Sequence, residues 1–209
     1  MDKIIESNQV IISGEVKSQF EYSHELYGEK FYTFVLDAER ISGVCDSVVI
    51  TVSERLIDVN EDYVGKKVCV LGQFRSYNKK DGDKKHLVLS VFARELYEEQ
   101  EDGKMDKNAI SLKGYLCKNP VYRQTPSGRE IADLLLAVNR SYGKTDYIPC
   151  ICWGRNALFV STLDTGTHIE VTGRIQSRIY NKKISDTEFE ERTAYEVSLS
   201  VLEVVGDEE

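Results

Sequence analysis

Apolar and polar positions alternate along most of the chain, which is the period of a β-strand with one buried face. The alternation is clear in "KFYTFVLDAER" and "DSVVITVSE", and it returns in "REIADLLLAVN" and "TDYIPCICW". These runs are rich in Val, Tyr, Phe and Thr, and Gly, Asp or Asn residues bound them. The pattern therefore predicts a mostly β protein.

The pattern occurs twice, with an offset close to one hundred residues. "VGKKVCVLGQF" at 64–74 corresponds to "TGTHIEVTGRI" at 165–175, and "YNKK" occurs at 77–80 and again at 180–183. Further matches start at an offset of 100, which rises to 103 at YNKK. A slowly rising offset is typical of a tandem duplication with small loop insertions. The two YNKK segments are therefore expected to mark equivalent strand ends.

In each copy, one segment interrupts the strand pattern after the third strand. These segments are "ERLIDVNEDYV" and "GRNALFVSTLD", and each is expected to form a short helix. Three strands, a helix and two strands are the order of the OB-fold, a partly open five-stranded Greek-key barrel that binds oligonucleotides and oligosaccharides. A small β-sandwich is the rival, but it needs no helix at this point. The predicted fold class is all-β with short helices, as two tandem OB-folds.

The domain boundaries follow from the repeat. A first OB-fold is expected at 1–97, an acidic linker at 98–108 and a second OB-fold at 109–205. The whole chain has a net charge of −8, which alone argues against nucleic acid. However, residues 104–183 hold 13 Lys and Arg against 6 Asp and Glu, whereas residues 1–103 hold 13 against 20. The basic excess thus lies in the second copy.

Cysteine usage and the missing motifs narrow the function classes. Five cysteines are an odd number in a chain too long to need disulfide staples, so a reduced, cytoplasmic setting is expected. The start lacks a signal-peptide layout, and no apolar run is long enough for a membrane span. Cys150 and Cys152 lack a second nearby pair, which favours buried thiols over zinc. With no catalytic or phosphate-loop motif, no enzyme, cofactor or metal is expected.

One strand of the second copy presents two aromatic side chains on the same face. In "TDYIPCICW" the side chains alternate, so Tyr147 and Trp153 share one face. Proteins that bind single strands stack bases on aromatic rings, at about 1–3 kcal/mol per base, beside a basic track for the phosphates. The residue pattern alone leaves two roles open for Trp153, a stacking surface or a place in the core.

The second copy resembles the bacterial single-stranded DNA-binding proteins in several short motifs that occur in one order. The motifs lie within roughly 109–183, and they include "NPVYRQTPSG", "AVNR", "DYIPCICWG" and "VTGRIQSRIY". The resemblance implies an OB-fold and base-stacking roles for Tyr142, Tyr147, Trp153 and Tyr180. Three of the four are Tyr where relatives often carry Trp. The candidate interface also includes Tyr77 and the basic residues near these aromatics, which are Arg140, Lys144, Arg155, Arg178 and Lys182.

The first copy is expected to be diverged and chiefly structural or engaged in pairing. In the alignment of the two copies, Tyr142, Tyr147 and Trp153 fall on Ser42, Ser47 and Ser53. A different aromatic surface remains an alternative for this copy, formed by Tyr22, Tyr27, Phe31 and Tyr32.

The sequence and the resemblance together favour one function. It is non-enzymatic binding and protection of single-stranded DNA in replication, recombination or repair. A homodimer is expected, since it would give the four OB-folds that relatives with one barrel per chain reach as tetramers. Replication or repair proteins are further candidate partners. The alternative is a primosome-type accessory or protein-interaction OB module that binds nucleic acid only weakly.

Overall fold

The computed structural model describes residues 7–81, 84–99, 106–183 and 189–206, and its strands form one 12-stranded sheet. The first half contributes β1 (Asn8–Val16), β2 (Glu21–Leu26), β3 (Glu29–Glu39), β4 (Cys45–Ser53), β5 (Lys67–Asp81) and β6 (Lys84–Glu98). The second half contributes β7 (Asn108–Leu116), β8 (Val121–Gln124), β9 (Glu130–Asn139), β10 (Thr145–Trp153), α1 (Arg155–Val160), β11 (His168–Lys183) and β12 (Phe189–Val204). Most of the predicted linker at 98–108 lies outside the described residues.

Each half closes into a five-stranded barrel. In the first half, β1 pairs with β3, β3 with β4, β4 with β6 in parallel, β6 with β5, and β5 with β1. The second half repeats this circuit with β7, β9, β10, β12 and β11. The short strands β2 and β8 are additions at the two ends of the sheet. The predicted all-β fold of two tandem OB-folds is confirmed, and the β-sandwich is excluded.

Four glycines allow the strands of each barrel to approach closely. A Cβ atom on Gly14 would lie 2.0 Å from the Asp37 carbonyl oxygen, and one on Gly114 would lie 2.3 Å from that of Ala137. A Cβ on Gly72 or Gly173 would lie 2.2 Å from a carbonyl oxygen of the neighbouring strand. Backbone cannot yield to such a contact, so these repeated glycines are a steric requirement of barrel closure.

The predicted helix after the third strand is present only in the second half, as α1. Residues 54–66 of the first half form turns instead. There the Asp58 carboxylate accepts the Asn60 N–H at 2.9 Å, and the Asp62 carboxylate accepts the Val64 N–H at 3.0 Å. Such local side-chain bonds compete with helical backbone bonds. The expectation of a helix in the first half is therefore wrong.

The two barrels join through β1 and β7, which pair antiparallel. Val10 lies opposite Ile110, and Asn8 lies opposite Leu112. Val10 and Ile110 are equivalent residues of the two halves, and they lie opposite each other. A pseudo-twofold axis between them therefore relates the two barrels. The amide of Asn8 bonds both the N–H and the carbonyl of Phe74, at 2.9 and 2.8 Å, and Asn108 makes the same two bonds with Ile175 of the second barrel.

The two YNKK segments do not occupy equivalent positions. A register shift falls between Leu71 and Gly72 in β5, and the same shift falls just before Gly173 in β11. Equivalent hairpin positions are therefore 101 residues apart, and Tyr77 corresponds to Arg178. Tyr180 lies two residues farther from the barrel than the position equivalent to Tyr77, because the second hairpin is longer. The expected equivalence of Tyr77 and Tyr180 is wrong.

Candidate nucleic-acid interface

Strand β10 sends alternate side chains to the core and to an outer face. Ile148 and Cys152 are fully buried, whereas Tyr147 and Trp153 are 45% and 38% exposed. The indole Nε1 of Trp153 donates to Ser198 Oγ at 3.2 Å, across from β12. This bond holds the edge of the indole and leaves part of the ring exposed. Trp153 therefore lies on the outer face of the barrel and not in its core.

Tyr142 lies in the loop that leads into β10. A short 3-10 turn, Ser141–Gly143, connects β9 to β10, and Tyr142 occupies the left-handed region there with φ 62°. Its side chain is fully exposed, and Lys144 is exposed beside it. Because the Arg140 N–H donates to the Lys144 carbonyl at 2.8 Å, the loop is closed at its base. Tyr142 and Lys144 are thus held at the end of the strand from which Tyr147 projects.

The predicted basic residues have different surroundings. Arg140 does not extend freely into solvent, because its Nη1 donates to the Asp146 carboxylate at 3.3 Å. Arg155, at the start of α1, and Arg178, on β11, are exposed, as is Tyr180. Lys182 lies on β11, but its side chain is outside the described part of the chain. The exposed basic residues among these candidates are therefore Lys144, Arg155 and Arg178.

Asp146 ties the second barrel to a hairpin of the first. It is fully buried, and it accepts the Ser76 N–H at 2.7 Å and Arg75 Nη1 at 3.2 Å. Ser76 Oγ in turn accepts the Tyr147 N–H at 2.8 Å. Burial lowers the pKa of the Arg75 guanidinium, and the neighbouring carboxylate opposes that change. An ion pair and two hydrogen bonds therefore hold β5 against β10.

The same arrangement occurs on the other side of the pseudo-twofold axis. The buried Asp46 accepts the Ser177 N–H at 2.9 Å and Arg174 Nη1 at 3.3 Å, and it also pairs with Arg40. Ser177 Oγ accepts the Ser47 N–H at 3.0 Å. The two aspartates are 100 residues apart, which is the offset of the repeat, but no sequence motif marks them for this role. The signal that could have revealed this role is an acidic residue at an inward-facing strand position in both copies, where an apolar residue is expected.

The first barrel has serines where the second has stacking candidates. Ser47 and Ser53 take the places of Tyr147 and Trp153, and Phe92 takes the place of Ser198. The Ser53 hydroxyl donates to Glu29, and Ser42 is an exposed loop residue. The outer face of this barrel therefore lacks the aromatic pair of β10.

The alternative aromatic residues of the first half do not form one face. Phe31 lies between His24, at 4.9 Å, and Phe92, at 5.6 Å between ring centroids. Tyr22 and Tyr32 meet edge to face at 6.0 Å as a separate cross-strand pair. Tyr27 lies in the β2–β3 turn and is almost fully exposed. Phe31, the Tyr22–Tyr32 pair and Tyr27 thus lie in three separate surroundings.

The five cysteines are all free. Cys150 and Cys152 are buried, and burial raises the pKa of both thiols, that of Cys152 to about 12. They are therefore protonated at neutral pH, whereas a metal needs the thiolate. Within the described ranges, no group of His, Cys, Asp and Glu side chains is placed to hold a metal ion. In the same ranges, no helix is long and apolar enough to cross a membrane.

Comparison with known proteins shows what the second half of the chain is similar to. Residues 107–205 match the model of the single-strand binding protein family. An 83-residue segment is 40% identical to the single-stranded DNA-binding protein 1 of Staphylococcus aureus (strain COL), covering 36% of this chain and 50% of that protein. The corresponding match to the single-stranded DNA-binding protein A of Bacillus subtilis (strain 168) is 37% identical, over 36% of this chain and 48% of that protein. The chain thus spans about half the length of the curated relatives it matches.

The solved structures extend the likeness of the fold to both halves. The wild-type single-stranded DNA-binding protein of Thermus aquaticus has a TM-score of 0.73 and 24% identity, over 95% of this chain and 93% of that chain. A deletion mutant of the same protein has a TM-score of 0.74 and 22% identity, over 97% and 98%. The arrangement of two barrels in one chain is therefore shared with a solved structure.

Proposed function

We propose that the protein binds and protects single-stranded DNA without catalysing a reaction, because residues 107–205 match the single-strand binding protein family. The observation that carries this proposal is the pair of exposed rings, Tyr147 and Trp153, on the outer face of β10. Exposed rings on a rigid strand offer stacking surfaces that accept any base, because every base has a π-face. Lys144, in the loop before β10, and Arg155, directly after that strand, supply the nearby positive charge.

The proposed mechanism is equilibrium coating. Each stacked base contributes about 1–3 kcal/mol, and each neutralised phosphate releases a counterion. Binding then stabilises the unpaired strand and suppresses hairpins. We place this activity in replication, recombination or repair in the cytoplasm, where replication or repair proteins are the candidate partners. The five free cysteines are compatible with that compartment.

We propose an unequal division of work between the barrels. Residues 109–205 supply most of the binding energy, and the sheet of the first barrel, within 1–97, is chiefly structural. Two features support this division, the serines at the positions of Tyr147 and Trp153 and the acidic excess of residues 1–103. An acidic surface repels phosphates over about 8 Å at physiological salt.

Titration with poly-dT is expected to quench the emission of Trp153, which is the only tryptophan. Affinity should fall steeply with salt, with a slope of log K against log salt of about −0.7 per phosphate neutralised. Both are measured by fluorescence at several salt concentrations. Weak binding without a salt dependence would instead favour the alternative, an accessory OB module that mainly contacts proteins.

A homodimer is expected in solution, which would bring four barrels together. A candidate contact is the outer face of the central strands, where Ile11 and Leu71 lie beside the β1–β7 junction. Light scattering should give twice the mass of one chain, and Ile11→Glu should reduce it to one chain. Val59→Glu, at an exposed turn residue, is the control and should leave the mass unchanged. A wild-type chain that stays monomeric at micromolar concentration would contradict the dimer.

A further inference from the structure

We infer that the DNA surface is composite, and that the β5–β6 hairpin of the first half completes the binding face of the second barrel. Within it, Tyr77 and Lys79 face the DNA path, and Ser76 is a positioning residue for Tyr147. The inference rests on the proposed function, but it concerns which half supplies which part of the site.

The edge of β10 that faces away from β9 is only partly paired with another strand. Strand β10 pairs with β9 along its whole length, but it pairs with β12 only at Cys150 and Ile151. At Tyr147, the backbone therefore needs another partner on the side away from β9. Ser76 provides that partner, since its Oγ accepts the Tyr147 N–H at 2.8 Å. A residue of the first half thus fixes the peptide that carries a stacking candidate of the second.

Tyr77 lies next to the residue that anchors the β5–β6 hairpin to β10. The Ser76 N–H donates to Asp146 at 2.7 Å, so the hairpin is anchored to β10 at two neighbouring residues. Tyr77 follows Ser76 directly and is 51% exposed, and Lys79 is exposed two residues further on. An aromatic ring and a positive charge are the two elements of a single-strand site. The hairpin therefore carries both elements directly beyond the residue that anchors it to β10.

The other hairpin, β11–β12, leads away from the second barrel and contacts the first. Ser177 bonds Asp46 and Ser47 of the first half, and Tyr180 lies three residues beyond it. Arg192, opposite Tyr180, contacts His86 of the β5–β6 hairpin at 3.5 Å. Tyr180 is thus at the meeting point of the two hairpins. A short oligonucleotide on β10 reaches Tyr77, and only a longer one continues to Tyr180.

The test compares two dT oligonucleotides on the full-length chain. One has about 8 nucleotides, within the site of one OB-fold, and the other has about 30, enough for more than one barrel. Tyr77→Ala should weaken binding of both by about fivefold or more, the smallest effect of losing one stacked base. Tyr77→Phe should retain affinity, because the ring is kept. Tyr180→Ala should weaken binding of the long oligonucleotide only.

The positioning role of Ser76 has a matched control. Ser76→Ala removes the acceptor of the Tyr147 N–H and should weaken binding of the short oligonucleotide by about threefold or more, a smaller effect than losing a stacked base. Ser13→Ala removes a similar bond between the halves, from the Lys107 N–H at 2.8 Å, but on the β1–β7 side. It should leave affinity unchanged. Tyr97→Ala, at an exposed residue near the other end of the β5–β6 hairpin, should also have no effect.

Trp153→Ala separates the two ways in which the test could fail. If it weakens binding while Tyr77→Ala and Ser76→Ala do not, the composite surface is wrong and the proposed function stands. If none of the three variants changes affinity, the proposed function is wrong, and the composite surface is wrong with it. Equal losses for Tyr180→Ala with both oligonucleotides would also overturn the assigned DNA path.

Discussion

Asp146→Ala is expected to lower the free energy of unfolding by about 3–5 kcal/mol, the cost of breaking a buried ion pair by removing one partner. The carboxylate has no solvent exposure, and it compensates the charges of Arg75 and Arg140. Without it, the two guanidinium groups lose their buried counter-charge, and the Ser76 N–H loses its acceptor. Chemical denaturation of the full-length chain measures the effect.

A surface ion pair provides the control for this prediction. Arg123 donates to Asp133 at 2.7 Å, but the two side chains are 49% and 38% exposed. Asp133→Ala should therefore cost only about 0–1 kcal/mol. Asp46→Ala, on the other side of the pseudo-twofold axis, should match Asp146→Ala, because its carboxylate is equally buried and also pairs with two arginines. If Asp146→Ala costs no more than Asp133→Ala, the ion pair does not hold the barrels together.

Much of the second barrel could be predicted from the chain alone. The period of two along β10 places Tyr147 and Trp153 on one face, and the structure has both on the outer face. The repeated glycines mark the points where strands cross closely. These features depend on neighbouring residues or on a repeat, so a pattern can reveal them.

The parts that could not be predicted depend on residues far apart in the chain. Ser76 and Tyr147 are 71 positions apart, and alternation specifies the face of a strand but not the barrel that it contacts. Arginine is a residue type that often contacts phosphate, yet the guanidinium of Arg140 donates to the Asp146 carboxylate. The shifted YNKK segments show a further limit. A motif match ignores the register, whereas the β-bulges before Gly72 and Gly173 define it.

The double variant Tyr147→Ala/Trp153→Ala is expected to weaken dT binding by about 2–6 kcal/mol, since it removes two stacking surfaces of about 1–3 kcal/mol each. Both side chains lie on the outer face, so the loss should appear in affinity per folded molecule, with a small change in stability. Fluorescence anisotropy with a labelled oligonucleotide measures the affinity, because the variant has no tryptophan, and circular dichroism confirms the fold.

A change at the corresponding face of the first half is the control for the proposal that the two barrels contribute unequally to DNA binding. Ser47→Ala/Phe92→Ala removes the residue at the position of Tyr147 together with the aromatic ring that replaces Ser198. Because Phe92 packs on Phe31, this variant should lose some stability. Its affinity per folded molecule should stay at the wild-type value, since the face around it offers no pair of exposed rings. A loss as large as that of the second-half variant would mean that Phe92, Phe31 and His24 form a binding platform of their own, and the first barrel would then be a DNA-binding domain in its own right.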